Sequence, residues 1–300
     1  MQQLVIQVLL PMILALVMLG IGMALQPADF RRVLLKPRAS VLGLVLQLLF
    51  LPCLALLLVW WLPLSPVAAA GLFLVSLCPG GATSNLFSVI ARGDAALSVT
   101  LTGVTSLLTP LTLPLLFLAY LQVNPLDTGN FDLPLWPAIQ QLAMVTLIPV
   151  TLGMLIRSWF PGWALKLQPG LRRLSTLAML LIVVSLLATH LHLMDRIISV
   201  ETLAILLLST TALLGGYLIA GKAGLMEREQ RTLGLEVGVQ NAGTAILVAL
   251  SILHAPALAL VPLMYGILMN LPAFTFVAWL HRKDRQEGRA GLAGEINEGV

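Results

Sequence analysis

Chemistry is first visible in this chain at Glu236. It opens the stretch Glu236-Val237-Gly238-Val239-Gln240-Asn241-Ala242-Gly243-Thr244, which places one carboxylate, two amides and two glycines in nine residues of an otherwise apolar run. Gln240 follows four residues later and shares a face with Glu236 wherever the stretch is helical. A second stretch, Cys78-Pro79-Gly80-Gly81-Ala82-Thr83-Ser84-Asn85, combines a helix-breaking proline with two glycines. It ends in Ser84-Asn85 much as the other ends in Gln240-Asn241, about 156 residues later. Ser98 and Thr102 lie four apart on one helix face, and Gln47 sits in an earlier apolar run. These side chains offer amide, hydroxyl, carbonyl and carboxylate oxygens with no thiolate or imidazole cluster, a donor set that suits a hard cation such as sodium. Two plainer readings compete. Glu236 lies only a turn or so past Arg231 and can snorkel to an interface, and the proline-glycine stretch can be a kink with small-residue packing.

The elements that must carry these residues follow from composition. Of 300 residues, 59% are apolar and only 10% are Asp, Glu, Lys or Arg, against about 25% charged in a soluble domain. That excludes a soluble enzyme, a nucleic-acid binder and a disordered chain, and leaves a helical protein embedded in a lipid bilayer. Nine apolar runs read as spans, near 4–25, 41–62, 66–91, 95–121, 135–156, 174–191, 202–220, 232–253 and 257–280. The two polar stretches fall inside the third and eighth. In hydrocarbon, backbone groups freed by such interruptions need protein, water or ions as partners, and interruptions at matching places in two halves point to a binding site.

Charge orients the spans. With nine of them the connections alternate sides, and 16 of the 17 basic residues fall on one side. These include Arg31, Arg32, Lys36 and Arg38, Arg92, Arg157, Lys166, Arg172 and Arg173, Lys222, Arg228 and Arg231, and the tail after Leu280. The other side holds Arg196 beside Asp127, Asp132, Asp195 and Glu201. The positive-inside rule then puts the N-terminus outside and the C-terminus in the cytoplasm of a cell bounded by this plasma (inner) membrane. The net charge of +4 needs no acidic partner. Met1-Gln2-Gln3 lacks a basic leader, so the first run reads as a permanent span rather than a signal peptide. Residues 282–300 read as a loose cytoplasmic tail. Cys53 and Cys78 read as buried apolar thiols, His190, His192, His254 and His281 as surface histidines, and Gly215-Gly216 as a helix-packing pair. The other twelve acids fall in connections or the tail, which leaves Glu236 as the one placed to act as a buried cation ligand.

On these residues the chain resembles the bile acid:sodium symporter family, up to about residue 281. The resemblance rests on Cys78–Asn85, on the Arg92-Gly93-Asp94-Ala95 turn leading to Ser98 and Thr102, and on Glu236–Asn241. It implies an all-α polytopic fold of nine helices in inverted repeats, the first repeat lacking one helix, with spans 1, 5 and 6 as a panel and spans 2, 3, 4, 7, 8 and 9 as a core over residues 1–281. The interrupted helices would cross within the core. It further implies one sodium site at Ser84, Asn85, Ser98, Thr102 and Glu236. A second would use Gln47, Glu236 and Gln240 with the carbonyls of Val237 and Val239, and no other cofactor is implied. Substrate contacts would fall on Asn241, Thr83 and Asn270, the last preceded here by Met269 where some members carry His.

The function expected on this basis is sodium-coupled import of an organic anion, bile-acid-like or a small carboxylate such as pantothenate or a keto acid, by alternating access. Proton coupling through Glu236 is the alternative within transporters. An intramembrane hydrolase is not expected, because the chain has no Gly-x-Ser-x-Gly elbow, no mid-span histidine and no aspartate pair within spans. A receptor or structural role would leave the two interrupted spans unexplained.

Overall fold

The computed structural model describes residues 5–26, 28, 37–126, 134–188 and 199–298. Arg31, Arg32, Lys36, Asp127, Asp132, His190, His192, Asp195 and Arg196 lie outside the described residues. Those described form helices and no strand. Among the described residues, six helices are long and apolar enough to cross a membrane: α1 (Gln7–Ala24), α2 (Pro37–Trp61), α5 (Ala95–Val123), α6 (Leu135–Trp159), α8 (Val200–Lys222) and Pro256–Gln286. The last includes α11 (Leu260–Leu268) and the first part of α12 (Asn270–Glu298). The remaining elements are α3 (Pro66–Ser76), α4 (Ala82–Ile90), α7 (Pro161–Ala188), α9 (Glu227–Gly238) and α10 (Ala242–Ile252).

The two polar stretches interrupt their helices where the sequence places them, α3 giving way to α4 and α9 to α10. Local chemistry sets the starts. The hydroxyls of Ser65 and Ser199 accept from Ala68 N–H at 3.3 Å and Thr202 N–H at 3.2 Å. Asp94 Oδ1 accepts from the N–H groups of Ala96 and Leu97 at 3.1 and 3.0 Å, capping the helix that carries Ser98 and Thr102.

Helices approach closely where glycine permits. A Cβ on Gly22 of α1 would overlap the Val150 carbonyl of α6, and one on Gly153 of α6 the Leu19 carbonyl of α1. On α8 and α9, a Cβ at Gly216 would stand 2.9 Å from Leu233 O, and one at Gly234 2.8 Å from Leu213 O. α1, α6 and α7 pack on one another, while α9 packs on α8, α4 and α5.

Several expectations shift. Lys166, Arg172 and Arg173 lie in α7, which begins at Pro161 rather than near 174, so these charges ride on a helix rather than a connection. Glu227 and Glu229 likewise sit in the first turn of α9, where Glu229 is buried and accepts from Met226 N–H at 3.0 Å. The tail read as loose continues α12 to Glu298. Cys78 is buried, but Cys53 is exposed on the outer face of α2.

Candidate functional site

The two interruptions lie side by side and antiparallel. Gly80 and Gln240 pair across the crossing, and Asn241 N–H donates to Pro79 O at 2.9 Å. Backbone groups freed in one interrupted helix therefore satisfy those freed in the other, a requirement within hydrocarbon.

The Glu236 carboxylate sits over this crossing, 3% exposed, which removes the snorkelling reading. Ser84 Oγ lies 3.1 Å from Oε1 and Thr102 Oγ1 3.0 Å from Oε2, and Ser98 Oγ meets Oε1. Ser98 and Thr102 also reach Asn85 Oδ1, at 2.6 and 3.2 Å, and Ser84 Oγ reaches Gly81 O at 2.8 Å. The three hydroxyls thus make six contacts to acceptor oxygens with three protons between them. A hydroxyl donates one proton at a time, and Gly81 O also accepts from Asn85 N–H at 3.2 Å, so three protons can give Glu236 Oε1, Glu236 Oε2 and Asn85 Oδ1 one bond each and leave further lone pairs open on these oxygens. Such an excess of hard oxygen around a carboxylate suits a cation.

Gln47 and Gln240 form an adjoining group. Gln47 Nε2 donates to Cys78 O at 2.9 Å and to Gln240 Oε1 at 2.6 Å. Gln240 Nε2 donates to the carbonyls of Glu236 and Val237 at 3.1 and 2.8 Å. Val239 is buried at the end of α9, its N–H donating to Leu235 O at 3.0 Å. Gln47 lies within a π-type turn of α2, Leu46–Phe50, a distortion frequent at functional sites.

Of the expected substrate contacts, Asn241 stands at the crossing. Its Oδ1 accepts from Thr244 N–H at 3.4 Å, and its buried Nδ2 has no partner. Thr83 is half-buried in the first turn of α4. Asn270 Nδ2 donates to the carbonyls of Gly266 and Ile267 one turn back, at 2.9 and 3.0 Å.

A model of the Sodium Bile acid symporter family matches residues 11–196, more than half of the chain. The chain belongs to the sodium bile acid symporter family. Members of this family are sodium-coupled membrane transporters, not enzymes. Among its relatives are YocS of Bacillus subtilis, described as an uncharacterized sodium-dependent transporter, 27% identical over 95% of this chain and 86% of that one. The probable sodium/metabolite cotransporter BASS1 of Oryza sativa chloroplasts is 30% identical over 77% of this chain and 56% of its own. Sodium/bile acid cotransporter 4 of Mus musculus is 29% identical over 88% of this chain and 61% of its own. The chain thus spans little more than half the length of some relatives.

This symporter-family chain also uses residues that the sequence reading passed over. Ser209 Oγ and Tyr265 OH donate to Gly238 O at 2.8 and 3.1 Å, holding the carbonyl at the end of α9. Ser88 Oγ pairs with Thr232 Oγ1 at 2.8 Å, and Thr232 Oγ1 also accepts from Asp94 N–H at 2.8 Å. One signal for that pair was legible: Ser88 follows Ser84, and Thr232 precedes Glu236, by four residues each. At the far end of α9, burial alone would push the Glu227 carboxyl up. Hydrogen bonds from Tyr217, Lys283 and Arg231 outweigh it and hold that carboxyl below its ordinary value.

Proposed function

We propose that the protein imports an organic anion together with two sodium ions by alternating access. One sodium would lie among Ser84, Asn85, Ser98, Thr102 and Glu236, the other beside Gln47, Gln240 and Glu236 with the carbonyls of Val237 and Val239. The reading rests on one observation above all: six acceptor contacts share three hydroxyl protons around the buried Glu236. A cation there would be held by the lone pairs that these three protons leave open.

The nine spans are read as inverted repeats, the first lacking one helix, with the N-terminus outside and the C-terminus in the cytoplasm. The packing of α1 with α6 and α7 supports reading these as the panel, against which the remaining helices move as the core. Sodium arriving first would neutralise Glu236 and fix the crossing, so that the anion meets Asn241 with its unpartnered Nδ2. A monovalent anion with two sodium ions carries one net positive charge inward. At about 2.3 kcal/mol per charge per 100 mV, the membrane potential alone supports roughly 50-fold accumulation. Relatives named for bile acid and for metabolites support reading the substrate as an organic anion, bile-acid-like or a small carboxylate.

The test begins with a thermal-shift screen of organic anions with and without sodium, which finds a ligand whose stabilisation depends on sodium. Uptake of that anion into proteoliposomes is then measured at fixed pH with sodium or choline outside. Uptake that requires sodium supports the reading. Uptake that persists in choline and follows a pH gradient would establish proton coupling through Glu236 instead.

A further inference from the structure

We propose that Asp284, in the C-terminal helix, is a positioning residue for the cation cluster and acts through Arg231. The inference rests on the sodium reading of that cluster. Glu236 is carried by α9, while Ser84 and Asn85 are carried by α4, so the cluster exists only while these two short helices keep their register. They run antiparallel and are joined by polar rungs. Ser84 meets Glu236 at 3.1 Å, Ser88 meets Thr232 at 2.8 Å, and beyond α4 the N–H of Asp94 donates to Arg228 O at 3.2 Å. The first two rungs are four residues apart on both helices, which keeps them on facing sides. The crossing ties one end of the pair through the Gly80–Gln240 bridge and Asn241 N–H to Pro79 O, and a second fastening at the other end fixes their register.

Arg231 closes that end. It is 5% exposed, and its Nη1 donates to Ala91 O, the residue after α4, at 3.0 Å. Its Nε donates to Glu227 at 3.1 Å, and Asp284 takes a two-pronged bond from Nη1, at 3.1 Å, and from Nη2. Asp284 also lies 3.7 Å from Arg92 Nη1, and His281, one turn earlier, bonds to Ile90 O at 2.9 Å. The last helix therefore grips the end of α4 and the start of α9 at one point. A two-pronged guanidinium–carboxylate pair fixes direction as well as distance. A nearly buried guanidinium that loses one of its two carboxylates shifts towards the one that remains, here Glu227. The rung it holds would shift with it, carrying Ser84 and Asn85 away from Glu236.

The experiment compares full-length wild type with Asp284→Asn, titrating sodium against the unfolding temperature in detergent and against anion uptake in proteoliposomes. The expected result is a rise of roughly five- to tenfold in half-saturating sodium for Asp284→Asn, with uptake at saturating sodium close to wild type. Asp284→Glu, which keeps the charge, recovers part of the loss. A variant that merely loses baseline stability, with half-saturating sodium unchanged, overturns the proposal. Should Asp284→Asn fail to fold, Arg231→Lys keeps the charge but not the fork, and the same rise or its absence decides. A wild type that does not respond to sodium would sink the symport reading itself. A responding wild type with an unaltered variant sinks only the role of Asp284.

Discussion

Gly80 lies directly against the Glu236 carboxylate: a Cβ there would overlap Oε2 and stand 3.2 Å from both Ser84 Oγ and Thr102 Oγ1. Glycine is needed at this position because one methyl group would occupy the space in which the oxygens converge. Gly81 next to it would meet nothing closer than Asn241 Cβ, at 3.5 Å. Gly80→Ala is therefore expected to abolish sodium-dependent uptake in a protein that still folds, whereas Gly81→Ala keeps it. Sodium titrations of uptake for the two variants check the contrast.

Ser98 and Thr102 each face both Asn85 and Glu236. Thr102→Val keeps the shape and removes the oxygen, as Ser98→Ala nearly does. Each is expected to raise half-saturating sodium about tenfold, equivalent to about 1.4 kcal/mol. The anion KM at saturating sodium should move much less, and comparing the two titrations is the check.

The chemistry was legible where it defied the membrane. Glu236 and the pair Ser98/Thr102 stand out because polar side chains in a lipid-embedded helix need partners, the two interruptions because they break that helix, and the structure brings them together. Other polar residues inside apolar runs were not legible. Ser209 and Tyr265 sit in ordinary apolar helices, and only the three-dimensional course of α9 aims both at Gly238 O. The clamp between Arg231 and Asp284 was hidden for another reason. Charges near span ends all read as orientation signals, and nothing local separates one that faces solvent from one that joins three helices.

Asn241 carries a buried, unpartnered Nδ2 at the crossing. Asn241→Ala removes that donor without touching the hydroxyl cluster. It is expected to raise the anion KM about tenfold or more, about 1.4 kcal/mol per factor of ten. Stabilisation by sodium alone should persist, as measured by thermal unfolding with and without the anion.

Gly238 O takes two side-chain hydrogen bonds, from Ser209 at 2.8 Å and Tyr265 at 3.1 Å. Tyr265→Phe leaves one of them and should cost about 1 kcal/mol of stability. Combined with Ser209→Ala it strips the carbonyl bare, and the loss should exceed the sum of the single effects, because a buried unsatisfied carbonyl costs about 1–3 kcal/mol. A double-mutant cycle on thermal unfolding of the purified protein measures this.

The central claim is that Glu236 and the residues gathered at the crossing bind the sodium that drives transport. Its most direct test is uptake of the sodium-dependent anion into proteoliposomes holding wild type or the double variant Glu236→Gln with Gln240→Ala, under a sodium gradient and an inside-negative potential. The account predicts that both forces accelerate uptake by wild type, and that the double variant retains its fold and loses sodium-driven uptake. Sodium-driven uptake by the double variant at the wild-type rate would contradict it.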